Sequence, residues 1–287
     1  MNCFVRWGGL LALLFAGPLG AQGETGFTRG KGRADVVFSF NQDDYEEEPL
    51  FPGNELDVRR ISYSTYAAVG LHDDVDLVLT AAYAEAEVTR FEPMVGIPFE
   101  RENNDWQDAS LGVKWRLGEI DALGGRMSFV AAPAVKFAMT DYNQAILGGG
   151  TLGQRLSLGA EQTDWRARMV AHYQNERGTF WASLETGYDF REEDPADEIP
   201  INLILGFSLF DYRLTLMPFF SRIESTDEAE VIQGAVTAAG VDLNRYGLHV
   251  YGALSERVGL VANYHVSDDG RETGSIPGFS LGLVARF

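Results

Sequence analysis

From residue 32 onward, hydrophobic and polar residues alternate in runs of roughly ten, separated by connections that are short and long in turn. The last run sets the pattern. Phe279, Leu281, Leu283, Ala285 and Phe287 alternate with Ser280, Gly282, Val284 and Arg286, the period of a strand with one apolar face. The first run, 32–41, places Ala34, Val36, Phe38 and Phe40 on such a face. Ten more lie between them, at 58–71, 75–86, 106–117, 126–138, 163–173, 179–191, 200–209, 212–223, 244–254 and 258–267. Tight turns at 72–74, 118–125, 175–178, 210–211 and 255–257 alternate with long connections at 43–55, 90–104, 140–161, 192–198, 224–242 and 268–277. The pattern predicts an all-β protein: a transmembrane, antiparallel up-and-down β-barrel of about twelve strands, with both termini periplasmic.

Once strand directions are fixed, the aromatic residues fall into two bands. Phe40, Tyr63, Tyr83, Phe137, Trp165, Tyr188, Phe220, Tyr246, Tyr264 and Phe279 lie near the long connections. Trp115, Phe129, Tyr173, Phe180, Phe207, Tyr212 and Phe287 lie near the tight turns. Two such girdles mark the membrane–water interfaces of a barrel. Pro133 and Pro218 fall mid-strand, where each removes a ladder hydrogen bond, and a bulge is expected at both.

Residues 1–21 read as a secretory signal peptide, with Arg6, an apolar run and a small-residue end, and with cleavage after Ala21 or Gly23. The run is too short for a membrane span, and no later stretch approaches the roughly 20 apolar residues of a spanning helix. Cys3 precedes the apolar run, so the mature barrel at 22–287 has no cysteine. The full chain carries 42 acidic and 23 basic residues, a formal charge of −19, and loss of Arg6 takes it to −20. Such acidity excludes nucleic acid as a partner. The expected location is the bacterial outer membrane, with lipids, lipopolysaccharide and the assembly machinery as partners. For that machinery the closing strand ending in Phe287 serves as the signal.

The inward parity leans basic. Lys114, Arg116, Lys136, Arg166 and Arg168 stand on consecutive strands, with Glu185 and Asp189 as acidic partners on the next. One reading is a basic lumen wall that favours anionic or polar solutes. The other is that these groups pair across strands and fill a modest barrel. No cofactor or metal is implied, and the glycines at 148–150 lack the Lys-Ser/Thr ending of a phosphate loop. An outer-membrane lipid hydrolase needs its His and Ser on the lipid side. His172, His249 and His265 have inward parity, so no enzyme is expected.

Three segments carry a family resemblance. They are 63–71 (Tyr-Ser-Thr-Tyr-Ala-Ala-Val-Gly-Leu), 108–117 (Asp-Ala-Ser-Leu-Gly-Val-Lys-Trp-Arg-Leu) and 185–191 (Glu-Thr-Gly-Tyr-Asp-Phe-Arg) leading to 195–198. In their order the chain resembles the outer-membrane β-barrel family of the meta-pathway of phenol degradation and its XagA-like relatives. It departs at Ala68, where that family often has Glu. The resemblance implies a barrel that passes small, often hydrophobic, compounds, and it supplies no catalytic residues. The function expected is therefore an outer-membrane channel for small polar, anionic or hydrophobic compounds. The alternative is a barrel anchor or a surface or assembly component, as in exopolysaccharide export or adhesion. A lipid hydrolase is a distant third.

Overall fold

A computed structural model describes residues 27–47, 56–92, 97–106, 108–137, 139, 163–191, 197–226, 231–232, 235–236, 243–268 and 276–287. The expected signal peptide and the connection at 140–161 lie outside these residues. In chain order the strands are β1 (Ala34–Glu47), β2 (Leu56–His72), β3 (Val75–Glu92), β4 (Ile97–Trp106), β5 (Ala109–Ala122), β6 (Gly125–Ala131), β7 (Ala134–Phe137) and β8 (Asp164–Asn175). They continue with β9 (Phe180–Phe190), β10 (Glu198–Leu209), β11 (Leu214–Ser225), β12 (Val231–Ile232), β13 (Ala235–Val236), β14 (Leu243–Ala253), β15 (Val258–Asp268) and β16 (Ile276–Arg286). The short strands β12 and β13 pair only with each other. β4 and β5 both pair with β3, and β6 and β7 both pair with β5 and β8, so each pair is one interrupted strand. Twelve antiparallel strands remain, and they close: β1 pairs with β16 from Asp35↔Arg286 to Asp43↔Gly278. Ala34 and Phe287 complete the seam, each backbone N–H donating to the other's carbonyl at 3.1 and 2.8 Å. Closure leaves no edge whose backbone groups would meet lipid unpaired.

The period-2 pattern appears as alternating exposure. Phe38 is 54% exposed and its neighbour Val37 1%. The outward rings meet one another in two belts. At the long-connection end Phe40 lies 5.7 Å from Tyr63 and 5.9 Å from Phe279, and Tyr83 lies 5.9 Å from Trp106. At the tight-turn end Phe180 lies 5.3 Å from Phe207 and 6.3 Å from Tyr173.

Four details correct the sequence reading. The connection at 90–104 is largely strand: β3 runs on to Glu92 and β4 returns beside it from Ile97. The turn at 118–125 is shorter than expected, because β5 and β6 continue to a two-residue turn at Leu123-Gly124. Both turn residues have positive φ (54° and 69°), the geometry that matches strand twist in a hairpin. Tyr212 belongs to a turn, at φ 65°, and its hydroxyl donates to the Arg177 carbonyl. Finally, neither proline makes a bulge. Pro133 separates β6 from β7, yet the register continues from Trp115↔Ala131 to Gly112↔Ala134. Pro218 stays opposite Leu248, with unshifted pairing against β10 on either side. Each ring removes a donor without inserting a residue, so the ladder loses a bond and keeps its register. The register shifts lie instead at Gly70/His72 and Arg116/Gly118.

Candidate functional site

The interior is divided along the barrel axis. Near the tight turns it holds an apolar cluster of Val37, Tyr66, Val78, Trp181, Ile204, Met217, Phe219, Tyr251, Val261 and Val284, all pointing inward and buried, with Asp35, Asp76, Lys114 and Arg286 buried at the same end. The inward parity leans basic in the sequence, which does not anticipate the apolar cluster. The apolar residues fill the space by dispersion and area burial, as in a soluble core.

The chain preceding β1 enters this half. Arg29 is buried, its Nε donating to Asp35 Oδ2 at 2.8 Å and its backbone N–H reaching both Asp76 oxygens at 3.0 Å. A buried guanidinium is stable only with such matched acids. Phe27 reaches across to the far wall. Lys114 Nζ donates to its carbonyl at 2.8 Å, and its ring lies 4.0 Å from His172 and 5.9 Å, edge-on, from Trp181. His172 Nδ1 stands 2.6 Å from Ser183 Oγ. This His–Ser pair is inside the barrel and covered by Phe27, away from the lipid side where a lipid hydrolase would need it. Among the described residues, no group of three or more His, Cys, Asp or Glu is placed to hold a metal.

Toward the long connections the wall from β5 to β10 is charged. Lys136 pairs with Asp108 at 3.2 Å and, more closely, with Asp164. Arg166 lies 3.6 Å from Asp189, and Arg168 grips Asp189 at 2.6 Å and Glu185 at 2.9 Å. Asn202 also donates to Glu185, at 2.9 Å, and accepts from Ser221. Of the five basic residues singled out from parity, Arg166 and Arg168 share one network with Glu185 and Asp189, while Lys136 pairs with Asp108 and Asp164. Lys114 sits under Phe27. Arg116 lies at the tight-turn rim, donating to Asp74 at 2.8 Å and Glu119 at 2.7 Å. Asp164 was missed as a partner, although it shares the parity of Arg166. At the long-connection end Asp197 accepts from the Arg191 backbone at 2.8 Å and from the Tyr188 hydroxyl at 2.7 Å. The Arg191 N–H first, then the hydroxyl, holds its carboxyl below the usual carboxylate range. Phe287 is 75% exposed at the tight-turn rim, beside Ala34.

A closed up-and-down sheet with an apolar outer band, two aromatic belts and a lumen carrying charged groups is a transmembrane β-barrel of the outer-membrane type. Solved structures of this type are similar to it. An outer membrane channel from Pseudomonas putida F1 matches with a TM-score of 0.64 and 11% identity, over 90% of this chain and 96% of that one. The translocator domain of the autotransporter NalP from Neisseria meningitidis matches at 0.52 and 13%, over 90% and 89% of the two chains. The KdgM porin matches at 0.50 and 6%, over 88% and 99%. At these identities the likeness concerns the fold. No protein-family model and no curated protein sequence matches the chain.

Proposed function

We propose that the protein is an outer-membrane channel for small compounds, with both termini periplasmic and the lumen narrowed by residues 27–30. The observation that carries this reading is the two-part interior. Charged groups line the half toward the long connections, and an apolar cluster crossed by Phe27 occupies the half beyond. Such a path suits solutes with an apolar body better than bulk hydrophilic nutrients, in keeping with the family resemblance in 63–71 and 108–117. Planar-bilayer recording tests it. The full-length protein should conduct in small steps, and Phe27→Ala should enlarge them by opening the apolar half. Silence from both proteins would refute the channel.

The dense packing of the apolar half favours a second reading, a sealed barrel serving as anchor for a surface or assembly component. Partners co-purifying with a non-conducting barrel would support it.

We further propose that Phe287 serves the assembly machinery as the terminal signal. Phe287→Asp should leave export intact and prevent folding in the outer membrane. Wild-type heat-modifiable mobility on gels for that variant would remove the proposal.

A further inference from the structure

The wall formed by β2, β1, β16, β15 and β14 carries a second charged group at the long-connection half. Asp43 stands directly opposite Arg60 on the β1–β2 ladder and opposite Gly278 on the β1–β16 ladder. Gly278 in turn faces His265 on β15. Because Gly278 has no side chain, carboxylate and imidazole meet over it, Asp43 Oδ1 lying 3.1 Å from His265 Nε2. A methyl group at Gly278 would overlap both. Arg245 on β14 faces Ser267 and donates Nε to its hydroxyl at 2.8 Å. Arg60 and Arg245 lie close enough to Asp43 to interact with it electrostatically, and close enough to repel each other.

Two guanidinium groups thus lie near one carboxylate. Among the described residues, Arg60 Nε and Arg245 NH1 are shielded and have no hydrogen-bond partner. A shielded donor on a charged group is costly to leave unmade, and a guanidinium fork matches a carboxylate in two parallel bonds. On the facing wall Arg166 Nε and Arg191 Nε likewise have no hydrogen-bond partner among the described residues, but there Lys136, Arg166, Arg168 and Arg191 stand among five acids, Asp108, Asp164, Glu185, Asp189 and Glu198. Among the described residues, the excess of positive charge at this height belongs to Arg60 and Arg245. One step toward the apolar half, on the strand beside Arg245, Phe219 stacks on His249 with ring centroids 4.5 Å apart. Gly247 faces the buried Phe219 across the ladder, where a β-carbon would press on its edge at 2.8 Å.

We propose that Arg60 and Arg245 bind the carboxylate of a small monoanionic solute whose apolar body lies toward Phe219. One anion balances the excess charge, and the fork geometry favours a planar acid over a spherical ion. The inference relies on the channel reading for its role in passage, whereas binding itself does not require conduction.

Calorimetry on the folded full-length protein in detergent, with empty micelles as blank, tests it using benzoate, benzyl alcohol and inorganic phosphate as probes. Benzoate should bind about tenfold or more tighter than benzyl alcohol, its uncharged counterpart. Arg60→Gln with Arg245→Gln should erase that difference, and Arg166→Gln on the facing wall should preserve it. Asp43→Asn removes the resident competitor and should tighten benzoate severalfold, which keeps the test decisive if the double variant does not fold. Equal binding of benzoate and benzyl alcohol by the wild type would overturn the proposal. So would benzoate binding unchanged in Asp43→Asn, or phosphate binding as tightly as benzoate, which would mark a site for free inorganic anions. Bilayer conductance is read separately, so loss of the channel reading leaves this result standing.

Discussion

Trp181→Ala should destabilise the barrel by about 3–5 kcal/mol, the range for removing a large buried aromatic side chain. Trp181 is fully buried inside the lumen, in edge contact with Phe27 and 5.7 Å from His172. Its indole lies over Gly206, opposite it on β10, where any β-carbon would collide with the ring. The surrounding strands are fixed by their ladders, so they cannot collapse into the space the ring leaves. The cavity therefore persists, and its cost adds to the lost transfer energy. Denaturant midpoints in detergent check this, with Leu281→Ala as the control. Leu281 is 56% exposed on the lipid face, and its truncation should cost markedly less. Equal losses at the two positions would mean that the interior is not packed around Trp181.

The second large effect is expected at Glu185. Its side chain is fully buried and accepts from Arg168 and from Asn202, both at 2.9 Å. Glu185→Ala leaves the buried Arg168 guanidinium with Asp189 as its carboxylate partner, and should cost about 3 kcal/mol. Replacing both partners, Arg168→Met with Glu185→Leu, removes the stranded guanidinium but leaves the buried Asp189 with only the Arg166 contact at 3.6 Å among the described residues, and should recover part of that loss. A double-mutant cycle on unfolding midpoints makes the comparison. If the double variant were as unstable as Glu185→Ala, the cost would come from packing and not from stranded charge.

The twelve strands and their outward faces were legible because lipid demands an apolar residue at every second position, and few other environments do. The interior was far less legible. Tyr66, Val78, Trp181, Ile204, Met217 and Phe219 occupy the inward parity, and against a strongly apolar outward face such residues are invisible as a second pattern. Asp43 was assigned to a connection because Pro49, Pro52 and a run of acids follow it. β1 in fact continues to Glu47, which carries Asp43 to the inward side opposite Arg60. Parity placed Lys114 and Arg116 beside Arg168, but parity has no vertical coordinate. Arg116 lies at the rim, where β5 changes register against β6. Nothing periodic marks residues 27–30, whose place is set by Arg29 finding Asp35 and Asp76.

The seam between β1 and β16 bears on how the molecule comes to exist. Its partners, Ala34 and Phe287, are the first and last residues of the barrel wall. Every other ladder of the barrel joins strands that follow one another along the chain, but this one joins the first strand to the last. Closing so long a loop is entropically slow. In the interval two unpaired edges, one at each end of the nascent sheet, are exposed to self-association. Folding of this chain is thus a race between a single late event and aggregation, and anything that shields those edges sets the yield.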